Sequence, residues 1–140
     1  MPNAYIRPLE AIDQDYVFGL FSQLRTRKPV PFDAKEFVDN QNSHCMVVET
    51  EGKIVGFGAL IIYSTPSKGR VAHIEDIIVD TSYRGRGYGR LIIEELIKAA
   101  EKGNVREIDL TSKRTRTDAR KFYESLGFKI RESDIFRLNI

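Results

Sequence analysis

The stretch from residue 74 to residue 101 constrains this chain more than any other. Ile74-Glu75-Asp76-Ile77-Ile78-Val79-Asp80 has the β-branched content of a strand. It runs into a turn with glycines at alternate positions, Gly85, Gly87 and Gly89, interleaved with Arg84, Arg86, Tyr88 and Arg90. Directly beyond, Ile92, Leu96, Ala99 and Ala100 recur at helical spacing and Gly103 supplies a stop. The first turn of a helix leaves backbone N–H groups without intrahelical acceptors and carries partial positive charge, so a glycine turn placed there can converge several amides on a phosphate. Glycine allows the close approach, and the arginines add charge suited to a multiply charged anion. Gly-x-Gly-x-Gly alone is a weak motif; its position between a strand and an amphipathic helix is what raises it above an ordinary turn. A Walker loop would end in Gly-Lys-Ser/Thr, whereas Gly89 is followed by Arg90-Leu91, and the Rossmann spacing Gly-x-Gly-x-x-Gly is not matched either.

Around this segment the chain reads as one domain, residues 1–140, with no repeat, linker or low-complexity run. Tyr5 to Pro8 is a short strand, and Asp13 or Asp15 caps a helix with Val17, Leu20, Phe21 and Leu24 on one face. Asp33, with Glu36 three residues on and Phe32 and Phe37 at the staple positions, announces a second helix. Met46 to Thr50 and Lys53 to Tyr63 form a hairpin across Glu51-Gly52, and Gly56 and Gly58 point to a bulge or a close approach. A strand from Val71 to Asp80 precedes the glycine turn. Beyond the helix come a strand from Glu107 to Thr111, a helix bearing Ala119, Phe122, Tyr123 and Leu126 that Gly127 closes, and two strands at Phe128 to Ile130 and Ile135 to Leu138. The order predicts an α/β (α+β) mixed sheet, mostly antiparallel, with helices on both faces.

Composition excludes more than it identifies. With 41% hydrophobic and 30% charged residues the chain is ordinary for a globular domain, and a net charge of +2 argues weakly for nucleic acid or membrane. No run approaches the roughly 20 apolar residues of a membrane span, and the first residues lack the apolar core of a secretory signal, which makes the cytoplasm the expected location. The single cysteine, Cys45, lies in an apolar segment and reads as core. His44 and His73 are too few and too poorly accompanied for a metal site, so no metal is expected.

The form Arg-x-x-Gly-x-Gly, satisfied by Arg84, Gly87 and Gly89, resembles that of the Gcn5-related N-acetyltransferase (GNAT) superfamily. So do the strand at 74–80, the helix after the loop and the ending Ala119-Arg120-Lys121-Phe122-Tyr123-Glu124-Ser125-Leu126-Gly127-Phe128, in the same order and spacing over nearly the whole chain. The resemblance implies the GNAT fold and acetyl-CoA as cosubstrate. The pyrophosphate would lie on the loop at Arg84, Gly85, Arg86, Gly87, Tyr88, Gly89 and Arg90, and the pantetheine arm would pair with the backbone of Ile77, Ile78 and Val79. It implies Tyr123, four residues before Gly127, as the general acid for the departing thiolate. The alternative for Phe122-Tyr123 is core aromatics.

Glu75 is the candidate base, acting directly or through water, and a substrate contact; a salt bridge to an arginine is the competing reading. Asp76 is a substrate-contacting candidate. Strand alternation puts His73, Glu75, Ile77 and Val79 on one face and Ile74, Asp76 and Ile78 on the other, unless a bulge resets the register. Many relatives carry asparagine seven residues before the tyrosine, where this chain has Arg116, a candidate for CoA, an anionic substrate or solvent. Arg25, Arg27 and Lys28 fall where the resemblance puts the acceptor border and favour an anionic amine, against the alternative of a solvated basic turn. The expected partner is a small-molecule amine; a protein or peptide amine and a non-catalytic acyl-CoA sensor are the alternatives, and a nucleic-acid binder ranks last. The final strand ends on an apolar face suited to pairing in a homodimer.

Overall fold

Glu51 and Gly52 both take positive φ, 52° and 74°, the mirror-image turn whose twist matches that of paired strands. Around them β2 (Ser43–Thr50) and β3 (Lys53–Thr65) pair antiparallel. The computed structural model describes residues 3–24, 28 and 30–140, and the chain divides into two compact units, Met1–Leu110 and Thr111–Ile140. The first holds a five-stranded sheet ordered β1-β2-β3-β4-β5, with β1 at Ala4–Pro8, β4 at Gly69–Val79 and β5 at Ile108–Asp109. The first four strands are antiparallel and β5 is parallel to β4, giving the mostly antiparallel mixed sheet expected.

One face of this sheet is covered by α1 (Gln14–Phe21) and α2 (Ala34–Asp39), the other by α3 (Tyr88–Lys102). On the first face Val17, Leu20, Ala34, Val47, Phe57 and Ile78 belong to one buried cluster, on which Phe21, Phe32 and Phe37 pack. The Asp33 side chain accepts from the Lys35 N–H, and the Phe32 and Phe37 rings lie 5.7 Å apart, so cap and staple both form. Asp13 precedes α1, but its carboxylate accepts from the Glu10 N–H and from both Arg7 terminal nitrogens at 2.8 Å. Burial alone would push the Asp13 carboxyl upward; Arg7 and the Glu10 N–H outweigh it and hold the group below its ordinary value. On the α3 face Ile92, Ile93 and Leu96 are fully buried; Ile93 joins the expected stripe and Ala100 is buried with it, while Ala99 is only partly covered.

A Cβ built on Gly58 would come within 2.5 Å of both Ile77 Cδ1 and Ile92 Cγ2. The second of these belongs to a fully buried β-branched side chain at the sheet–helix contact, so it has little freedom to yield. Gly58→Ala is therefore expected to destabilise the protein by about 1–3 kcal/mol through overpacking, read as a lower midpoint in urea and in thermal melts. An unchanged midpoint would show that α3 can shift away from the sheet.

In the second unit α4 spans Thr117–Ser125, with the partly buried Ala119, Phe122 and Tyr123 on one face and Gly127 (φ 97°) closing it. The strands expected at Phe128 to Ile130 and Ile135 to Leu138 are not formed; that stretch carries no regular secondary structure, and Ile130, Ile135, Phe136 and Leu138 are exposed. Alternating apolar residues make a strand only when a neighbouring backbone pairs with them. The strand expected at 107–111 is likewise reduced to Ile108–Asp109. Among the described residues no helix is long and apolar enough to cross a membrane.

Candidate active site

The register of β3 against β4 slips in the middle. Phe57 pairs with Ile78 and Ala59 with Glu75, so Gly58 alone stands opposite Asp76 and Ile77. This is a β-bulge, and Asp76 takes φ +56° to form it, a backbone region that non-glycine residues occupy at a cost. The bulge overturns the simple alternation. Ile77 turns to the α3 face, where it meets Ile92 beside Gly58, while Glu75 keeps the face of Ala59 and Ile78 that of Phe57. Asp76 acts electrostatically on both Glu75 and Cys45, and Cys45 pairs with Ala59 on that same face. Glu75 thus lies on the α1/α2 side with Asp76 near it, and the expected grouping of Glu75 with Ile77 and Val79 does not hold.

Each carboxylate is shifted by this setting. Partial burial pushes Glu75 above its ordinary value, Asp76 adds to the rise and His73 pulls against it; partial burial also raises Asp76. The buried Cys45 thiol is pushed up to about 12, first by burial and then by Asp76, which makes it a core residue and not a nucleophile at neutral pH. His73 Nδ1 lies 3.7 Å from Glu75 Oε1, and the Tyr63 ring is centred 5.8 Å from the imidazole. His73 stands beside Glu75 and Tyr63 beside His73, although neither was a candidate from the sequence; the i, i+2 spacing of His73 and Glu75 was visible.

On its other side β4 pairs with β5 only at Ala72 and His73. Among the described residues of the first unit, the β4 edge from Ile74 to Val79 therefore has no strand beside it, the kind of edge to which an extended ligand can add. That open edge leads straight into the glycine turn. Gly85 and Gly87 have φ of 80° and 85°, a Cβ on either would meet nothing within 4 Å, and Gly87 is the N-cap of α3. The start of α3 is thus bare backbone facing open space, as an anion cradle requires.

The arginines of the loop divide their roles. Arg84 Nε donates to the Val79 carbonyl at 3.1 Å, fastening the turn to the end of the open edge. The Arg86 guanidinium stacks 4.9 Å from the Tyr83 ring centre, and Arg90 pairs with Glu94 one turn along α3. Upstream, Gln23 Oε1 accepts from the Thr81 N–H and Oγ1, which ties the end of α1 to the approach to the loop.

Tyr123 and Arg116 belong to the second unit. Tyr123 is half-buried between Phe122 and Phe128, with ring centres at 5.3 and 6.1 Å. Burial raises its hydroxyl above the ordinary value, and Arg116 partly offsets the rise, so the phenol stays protonated at neutral pH. Arg25 and Arg27 lie outside the described residues.

The family model described as the acetyltransferase (GNAT) family matches residues 9–128, through both units. The chain belongs to the GNAT family. It is 37% identical over 83 residues to glucosamine 6-phosphate N-acetyltransferase of Trypanosoma brucei brucei, covering 58% of this chain and 54% of the relative. It is 32% identical over 106 residues to glucosamine 6-phosphate N-acetyltransferase 1 of Oryza sativa subsp. japonica, covering 68% and 64%. The match thus spans between about half and two thirds of these relatives. An aminoglycoside N-acetyltransferase solved in complex with CoA superposes with a TM-score of 0.86 at 23% identity, over 99% of this chain and 96% of that one, and so shares the GNAT fold.

Proposed function

We propose that this GNAT protein is an acetyl-CoA-dependent N-acetyltransferase that acetylates the primary amine of a small, anionic molecule. The observation that carries this reading is the open β4 edge running directly into the bare N-terminus of α3. An extended pantetheine arm can add to such an edge as a strand, through the backbone of Ile77, Ile78 and Val79, while a pyrophosphate occupies the amides at Gly85 to Gly89. The same fold in the aminoglycoside N-acetyltransferase is solved around CoA, and the two glucosamine 6-phosphate N-acetyltransferases place a phosphate on the acceptor.

In this reading the acceptor ammonium gives up a proton to Glu75, directly or through one water. Its nitrogen then forms the C–N bond to the acetyl carbon as the C–S bond breaks, Tyr123 protonates the departing thiolate, and the second proton shed by the nitrogen as it becomes an amide restores the Tyr123 phenol. A raised carboxyl value makes Glu75 a stronger base than an ordinary carboxylate, and a raised phenol value keeps the Tyr123 proton in place until the thiolate needs it.

The test is calorimetric titration with acetyl-CoA, followed by a free-thiol assay of CoA release over a panel of aminosugar phosphates, aminoalkylphosphonates, polyamines and amino acids. Saturable binding and release stimulated by a phosphate-bearing amine are expected. Tyr123→Phe is expected to lower kcat by about 10²-fold, the usual contribution of a general acid, with acetyl-CoA affinity unchanged. A wild-type kcat in that variant would leave Tyr123 a packing residue.

A further inference from the structure

We propose that the Tyr63 and His73 rings form a floor beside Glu75 on which the body of the acceptor rests, and that this floor selects amines carried on a ring over amines on open chains. The inference rests on the N-acetyltransferase reading above and narrows its acceptor. Ala59, Ile61 and Tyr63 alternate along β3 and pair with Glu75, His73 and Val71 of β4, so all of them belong to the α1/α2 face of the sheet. The core beneath α1 and α2 takes in Ala59 and reaches Ile61 only at its margin. Past that margin Val71 stays buried while the two rings come to the surface, Tyr63 40% exposed and the His73 side chain 34%. Glu75 therefore stands where the helical cover ends and the floor begins.

The two rings act as one surface. Their centres lie 5.8 Å apart with the planes inclined by 35°, a separation at which aromatic side chains hold each other. The exposed part of the Tyr63 ring is thus a steadied, flat, apolar plate, and tyrosine offers such a plate at small entropic cost because only two side-chain torsions have to be fixed. Charge is confined to one end: Glu75 Oε1 lies 3.7 Å from His73 Nδ1, and Asp76 acts on Glu75 from the next position in the strand. Carboxylates at one end with rings beyond them complement an acceptor whose ammonium adjoins an apolar ring face. The dimensions agree. Tyr63 stands opposite Val71, four residues from Glu75, or roughly 13 Å along the strand. A six-membered ring with its amine at Glu75 covers His73 and brings its far edge to Tyr63. An open-chain amine has no flat face to lay there and gives up torsional freedom when it is stretched over the same floor.

The test sets glucosamine 6-phosphate against aminoethylphosphonate, two amines that each carry a phosphoryl group and differ in the ring. The free-thiol assay gives the ratio of their kcat/KM values for wild type, Tyr63→Ala, Tyr63→Phe and His73→Ala. Both substrates meet the same folded enzyme, so the ratio does not respond to a loss of stability. In wild type we expect it to favour the ring. In Tyr63→Ala it should fall by about fivefold to tenfold, the usual worth of one aromatic contact, and the change should lie in KM for the ring amine. Tyr63→Phe keeps the plate and should keep the ratio, while His73→Ala removes the neighbouring ring and should lower it in the same direction. An unchanged ratio in Tyr63→Ala would overturn the proposal, as would an equal fall in Tyr63→Phe, which would assign the effect to the hydroxyl. A wild type that favours the open-chain amine would overturn it too. These outcomes leave acetyl transfer itself standing; a wild type that releases no CoA with any amine of the panel would instead sink the N-acetyltransferase reading and take this inference with it.

Discussion

Gly87→Glu is expected to weaken acetyl-CoA binding by at least about 100-fold while leaving the protein folded. Two costs add. Gly87 sits at φ +85°, where a side chain with a Cβ is strained by roughly 1–2 kcal/mol. The larger cost is electrostatic: a carboxylate brought to about 5 Å from a phosphate repels it by roughly 3 kcal/mol at an effective dielectric of about 20, and each 1.4 kcal/mol is a factor of ten in affinity. The side chain itself has room, since nothing lies within 4 Å of the built Cβ, so the loss falls on the ligand and not on packing. Gly87→Ala separates the terms, because it carries the strain without the charge and should lower the melting midpoint while acetyl-CoA affinity stays close to wild type. Titration calorimetry reads both. Wild-type affinity in Gly87→Glu would mean that the turn before α3 does not hold the pyrophosphate.

The second large effect is expected at Glu75. Glu75→Gln should lower kcat/KM by about 10²–10⁴-fold, the usual contribution of a general base, and abolish the acid limb of the pH profile. In the wild type that limb should lie above the ordinary carboxylate range, because burial and Asp76 raise the Glu75 value. Stability should move the other way. A carboxyl whose folded-state value is raised contributes stability that is complete below its unfolded value and is lost as pH rises through the folded one. Glutamine never ionises, so Glu75→Gln should melt at or above the wild-type temperature at neutral pH and lose that advantage in acid. Thermal melts across pH test this directly. A variant that melts lower at neutral pH and transfers acetyl groups at the wild-type rate would make Glu75 a structural partner of His73.

Much of the fold was legible because its signals are local. The Glu51-Gly52 turn, the Asp33 cap with its Phe32–Phe37 staple, and the helix stops at Gly103 and Gly127 each depend on a handful of adjacent residues, and each formed where expected. The succession of strand, glycine turn and helix was legible for the same reason: its parts are consecutive in the chain. The two strands expected beyond Gly127 failed because alternation describes a strand's faces and not its partner.

Within the candidate site, residue types were readable and their directions were not. The chemistry of Glu75, Asp76 and Tyr123 follows from their side chains and from the family resemblance. The parting of Glu75 and Ile77 onto opposite faces was decided at Gly58, on a different strand, whose lack of a side chain lets Ile77 and Ile92 close over it while β4 bulges opposite. Among the described residues of the first unit, the β4 edge from Ile74 to Val79 is likewise without a strand because β5 pairs with β4 over only two residues. Sequence alone determined the local turns, the caps and the inventory of reactive groups, since these depend on near neighbours. Only the tertiary structure decided register and edge, because both are properties of two strands at once.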